Sequence, residues 1–296
     1  MPSGKNDKSA KALKAVKRKS SGPKSKGLQT GINIPWLGIG AIVSVIALIA
    51  IIAFAVLPSY QDSREIDSWS PSADNPDPSR DIEGITIVEE LSNIHVRAGQ
   101  RVAYDHTPPV GGPHDEAWAT CNGIVYDEPI RTENAVHSIE HGAVWITYEP
   151  DLADEADIER LRNRVSGQTY MFLSPFPGQE SPISMQSWGR QLRLDSAEDP
   201  RINHFIGALR LHPTLSPEPG ESCATVPGLF EPDNPNPFDP SPLGPDAVQM
   251  DGSGAAPQLD DLSQIPGLED LDLSELDLEG DFPMDAEDPA FEEPAE

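Results

Sequence analysis

Lysine is missing from most of this chain. All eight lysines fall within the first 26 of 296 residues, and the stretch from Glu231 to Glu296 has neither lysine nor arginine. With Arg18, and against the one acid Asp7, the opening arm carries +8 while the whole chain carries −28. Only the arm could attract nucleic acid or anionic lipid, so DNA or RNA binding is disfavoured for everything beyond it. No Ser-His-Asp or Cys-His spacing is legible. A phosphate-cradling glycine loop is missing as well, because Gly111-Gly112 runs into Pro113, which has no N–H to donate.

One apolar run stands out. Trp36 to Leu57 is 22 residues without a charge, about 33 Å as a helix, which matches a bilayer core. Residues 33–58 therefore read as a single transmembrane helix in the lipid bilayer, with Pro58 as its stop. Nine Lys and Arg residues precede it and a single arginine, Arg64, follows closely, which places the N-terminus in the cytoplasm and the rest outside at the cell membrane. A cleaved signal peptide is the alternative, since Ala53-Phe54-Ala55 resembles a cleavage site. The long basic region and long apolar run speak against it.

The remaining organisation follows from composition. Residues 1–32 are a basic, disordered arm. Residues 59–82 are a polar linker, whose prolines and aspartates argue against helix or strand. Residues 83–228 form the globular domain. Strands are expected at Gly84–Val88, Ala143–Tyr148 and Thr169–Leu173, with one or two more within Ile183–Leu194. Helices are expected at Asp154–Arg164 and Asp199–Leu211. The fold class is α+β: one small extracytoplasmic domain with a mixed or antiparallel sheet and two helices. Residues 229–296 form an acidic, Pro-rich, disordered tail. Within it Leu259, Leu262, Ile265, Leu268 and Leu271 recur every third residue, which could serve a partner in the cell envelope.

Cys121 and Cys223 are the only cysteines. An oxidising exterior permits a disulfide between them, closing a loop of about 100 residues for about 4 to 5 kcal/mol. Two free thiols or two soft metal ligands are the alternatives.

The seven histidines, His95, His106, His114, His137, His141, His204 and His212, all lie in the outer domain. Prolines and glycines at 108–113 fix a loop that presents His114. In His137-Ser138-Ile139-Glu140-His141-Gly142, a helix would place His137 and His141 one turn apart, about 6 Å between Cβ atoms, with Gly142 as the C′ residue. An extended segment would separate the rings by about 13 Å, too far for one ion. A copper or zinc site on His114, His137 and His141 thus depends on a turn there. Met171 and Met185 could add soft ligands for Cu(I). H-x-x-E-H is also the inverted zinc-protease motif, which requires a further acid from a downstream helix. Here Glu218 and Glu221 follow instead in a Pro-rich loop.

These residues together resemble the DUF3105 family. The shared features are His95-Val96, Tyr104, Pro108-Pro109-x-Gly111-Gly112-Pro113-His114, Trp118, Gly123, Tyr126, His137-Ser138-Ile139-Glu140-His141-Gly142 and Ser187-Trp188-Gly189-Arg190-Gln191-Leu192. Cys121 and Cys223 fit its actinobacterial form. The resemblance implies a membrane-anchored extracytoplasmic domain, without an activity. Its pattern includes His95, His114, His137, Glu140 and His141, and leaves out His106, His204 and His212. Three functions compete: a metal-binding module, a non-enzymatic assembly factor for an envelope complex, and a metallohydrolase.

Overall fold

The structure, a computed structural model, describes residues 36–225 and 227–256. The basic arm and the leucine-spaced tail segment lie outside the described residues. The chain divides into two units at Pro58/Ser59.

Helix α1 (Trp36–Ser68) starts in the first unit and ends in the second; it begins with a window, Trp36–Phe54, of mean hydropathy 2.9 and no buried residue. It is long and apolar enough to cross a membrane. Pro58 does not stop this helix, which continues to Ser68. The expected linker is thus helical over residues 59–68, and a short 3-10 helix, Pro78–Asp81, lies further along it. The reason is tertiary. Ile66 and Trp69 pack against the domain core, Asn203 donates to Asp62 and Glu65, and His204 bonds Glu65 while stacking on Trp69. Such contacts outweigh a proline near the helix middle.

The second unit is built on a six-stranded sheet. Its strands are β1 (Thr86–Ile87), β4 (Asn122–Val125), β5 (Val144–Tyr148), β6 (Met171–Pro175), β7 (Ile183–Ser187) and β8 (Arg190–Leu194), in the spatial order β1-β8-β7-β5-β6-β4. The sheet is mixed: β5-β6-β4 are parallel and β1-β8-β7-β5 antiparallel. Central β5 is buried along its whole length because helices cover both faces, which explains its unbroken apolar run. Val144, Ile146 and Tyr148 face α3 (Glu155–Val165) and α4 (Arg201–Leu209). Trp145 faces the other way, toward α2 (Thr132–Glu140), Phe172 and Phe176. Beyond α2 lies a two-residue parallel ladder of β2 (His95–Val96) and β3 (His114–Asp115).

The α+β class and the mixed sheet agree with the sequence reading, but the helix count does not. Five helices are present among the described residues: α1 to α4 and the 3-10 helix. The tail also departs from expectation. Phe230 and Val248 are buried, Phe238 packs on the aromatic cluster, and Val248 exchanges backbone bonds with Arg101 and Ala103. Three well-spaced apolar residues suffice to hold a Pro-rich segment with few N–H groups to satisfy.

Gly207 sits where α4 meets the end of α1. A Cβ there would collide with the Ile66 carbonyl oxygen and lie 3.0 Å from Trp69 Cβ. In an exposed helix Gly→Ala stabilises by up to about 1 kcal/mol. Here Gly207→Ala should instead destabilise by about 1–3 kcal/mol through overpacking. An unchanged or raised melting temperature would show that residues 59–68 are not docked.

Candidate metal centre

The donors come from three pieces of chain. The β2/β3 register sets His95 directly beside His114. Helix α2 presents His137 and Glu140 on one face, three residues apart. His141 caps α2, its N–H donating to the His137 carbonyl, and Gly142 follows at φ +89°. The helix that the metal reading requires is therefore present, with glycine at C′.

Three imidazoles are oriented in the same way. His114 Nδ1 lies 2.9 Å from the Gly112 carbonyl, His137 Nδ1 2.7 Å from that of Asp115, and His141 Nδ1 2.7 Å from that of Ser222. A carbonyl can only accept, so each Nδ1 carries the proton. In the neutral ring Nε2 then keeps its lone pair. This is the arrangement that prepares a histidine for a metal.

Two groups of donors result, each with its ligand atoms within 4.8 Å of one another. The inner group is His95, His114, His137 and Glu140; the outer is His137, His141 and Glu218. Tetrahedral ligands of one zinc ion lie about 3.4 Å apart, so inward shifts of about 1 Å bring either group onto an ion. His114 and His141 do not share a group, contrary to the three-histidine site read from sequence. Met171 and Met185 lie in the core on the other face of the sheet, and Cys121 and Cys223 are joined to each other. Soft ligands are thus withdrawn from the centre, which offers only nitrogen and oxygen.

His114 Nε2 lies 2.7 Å from Glu140 Oε2, at 0% and 1% side-chain exposure. Short as this is, the pair lacks hydrogen-bond geometry. His114 Nε2 and both Glu140 oxygens are three of the four buried side-chain polar atoms without a partner among the described residues. In the neutral ring with its proton on Nδ1, both atoms are acceptors. Two buried acceptors in contact repel unless a cation lies between them.

Burial pushes His137 down to about 2, helped by His114 and His141. Burial also lowers His95 and His141. All three rings are neutral at pH 7, so protons do not compete for their lone pairs.

Glu218 escapes a reading by motif. It arrives because its own N–H and that of Gly220 bond the Glu140 and His141 carbonyls, closing the C-terminus of α2. Its carboxylate then lies 3.7 Å from His141 Nε2. The disulfide pins the same segment: Cys121 N donates to the Cys223 carbonyl, and Trp118 Nε1 to that of Ala224. The other histidines stand apart. His204 serves the α1 contact and His106 belongs to neither group. His212 accepts from Thr214 and Leu215 N–H through Nδ1 and donates to the Pro76 carbonyl.

Fold and site define a class: an α+β domain that buries imidazoles and one carboxylate around a common point. Residues 95–225 match the model of a family described as a protein of unknown function, DUF3105, which supports the resemblance read from the sequence. The match opens at His95 and closes just past Cys223. No curated protein and no solved structure matches the chain significantly.

Two expectations follow. The disulfide spans 102 residues. Converting both cysteines to serine should cost about 4 to 5 kcal/mol in a denaturant titration; an unchanged midpoint would show that the bridge adds nothing. His212 is held below its ordinary pKa chiefly by burial. The unfolded chain takes up this proton below about pH 6.5 and the folded chain only at lower pH. The stability that His212 contributes is therefore complete above that pH and is lost as pH falls toward the folded value. His212→Asn keeps an acceptor but cannot titrate, so its melting temperature should fall less steeply between about pH 7 and 5. An equal slope would count against this role.

Proposed function

We propose that this chain is a membrane-anchored protein whose domain, outside the cytoplasm, binds one Zn(II) or Cu(II) ion on His95, His114, His137 and Glu140. The observation that carries this reading is the buried, unbonded contact between His114 Nε2 and the Glu140 carboxylate. An ion held by both would turn the most costly contact in the domain into its firmest. A donor set of nitrogen and oxygen suits these two ions and not Cu(I). Four protein ligands in a closed site fit binding better than catalysis, which keeps a position open. Placement outside the cytoplasm is supported by the apolar helix, the lysine-rich arm ahead of it and the disulfide.

The hydrolase reading gains one observation: His137, His141 and Glu218 make a two-histidine, one-carboxylate set. It needs Glu140 to aim at a water on that set. Glu140 Oε2 is instead 4.0 Å from His137 Nε2 and nearer to His114, which makes it a ligand of the inner group and not a base.

Titration calorimetry on the full chain in detergent should find one Zn(II) or Cu(II) per chain. His114→Ala should lose more than the 10- to 100-fold in affinity that a change around the ligands costs. Glu140→Gln separates a metal role from a structural one. Removing an uncompensated buried charge should stabilise the metal-free domain by about 1–3 kcal/mol while abolishing tight binding. A destabilised metal-free Glu140→Gln protein, or unaltered affinity, would refute the assignment.

A further inference from the structure

The two donor groups share His137, and that ring can serve only one of them at a time. Its Nδ1 is committed to the Asp115 carbonyl, which leaves a single lone pair on Nε2. One ion can therefore occupy the inner group or the outer, but not both with His137 as ligand.

The groups differ in access. The inner carboxylate, Glu140, is 1% exposed, whereas the side chain of Glu218 in the outer group is 46% exposed. His141 lies between, buried but in contact with Glu218. From exposed Glu218 one line of donors runs inward through His141 and His137 to His114 and Glu140, while His95, half-buried, faces the inner group from its own side. The ring centroids step by 4.6 Å from His141 to His137 and by 4.8 Å from His137 to His114. Trp118 walls the first step, its ring 5.1 Å from His141 and 5.5 Å from His137.

We propose that Glu218 and His141 form an entry station, which takes a hydrated divalent ion from solvent and passes it through His137 to the inner group. The inference rests on the inner group being the metal site. The exchange needs no redox partner. The ion leaves Glu218 and His141, keeps His137, and gains His114, His95 and Glu140. Each station supplies one carboxylate, so the ion meets the same formal charge before and after and does not have to enter a buried site bare. An exposed anion also raises the local cation concentration at the mouth of the path.

The test uses the full chain in detergent with Zn(II) alone, loading followed by stopped-flow fluorescence and release by an EDTA chase. Glu218→Gln and Glu218→Ala change an exposed side chain and leave the backbone bonds that close α2 in place. Both should slow loading by about tenfold or more. An entry station changes a path and not an end state. Release must then slow by the same factor, with equilibrium affinity unchanged and one ion bound per chain. Glu155→Gln, which removes the same charge from α3 across the sheet, should alter neither rate. Unchanged rates in both Glu218 variants would overturn the inference and leave the metal site standing. Weakened affinity with unchanged loading would overturn it too, by making Glu218 a resident ligand, as would two ions per chain. A wild-type chain that binds no Zn(II) would overturn both this inference and the proposed function.

Discussion

The Glu140 carboxyl group and the His114 imidazole meet in the interior of this domain without a hydrogen bond between them. The contact of Glu140 with His114 is unfavourable as it stands, and the surrounding structure is arranged to hold it. The α2 face that carries His137 and Glu140 is fixed by Ala135, Val136 and Ile139 against Trp145 and Phe172. Tyr104 bonds the Pro113 carbonyl, and the Trp188 ring stands edge-on to His114. Neither residue can relax away without breaking packing that stabilises the whole face. Proteins retain such local cost where the site has a use for it.

Backbone carbonyls do the orienting. Gly112, Asp115 and Ser222 each take one Nδ1 proton, and each is braced in turn. Gly112 sits at φ +118°, a conformation that suits glycine. The Asp115 side chain pairs with Arg131 and accepts from the Ala117 N–H. Ser222 is held beside the disulfide. The cysteines therefore act on the centre at one remove: they fix the strand of chain that sets the His141 tautomer and brings Glu218 within reach.

Local pattern made part of this legible and hid the rest. H-x-x-E-H-G announces a helix end, and α2 with Gly142 at C′ is that helix. The β-branched and aromatic run that predicts β5 survives because both faces of that strand are buried, and the spacing that predicts α3 and α4 survives because each helix buries a regular face. The β2/β3 ladder is two residues long, below any period, so the pairing of His95 with His114 could not be read. Glu218 lies far along the chain from His141 and reaches it only through a helix cap, a tertiary event with no local signature. The Pro58 stop failed for a related reason, since the contacts that keep residues 59–68 helical come from α4. Residues 229–256 pack more than their Pro-rich composition suggests, because that average dilutes Phe230, Phe238 and Val248.

Once lysine is confined to the arm, the domain's cations are arginines, and those nearest the centre are already matched. Arg131 pairs with Asp115 and Glu133, and Arg190 with Asp77 on the flank that carries Trp188. None of these is left to neutralise Glu140, and two of the imidazoles around it, His137 and His95, are kept uncharged chiefly by burial. A protein that needed only to bury a carboxylate could have placed an arginine there, as it does for Asp115. Surrounding Glu140 with nitrogen donors instead builds a group of side chains that could hold a cation, whose approach a net negative chain favours.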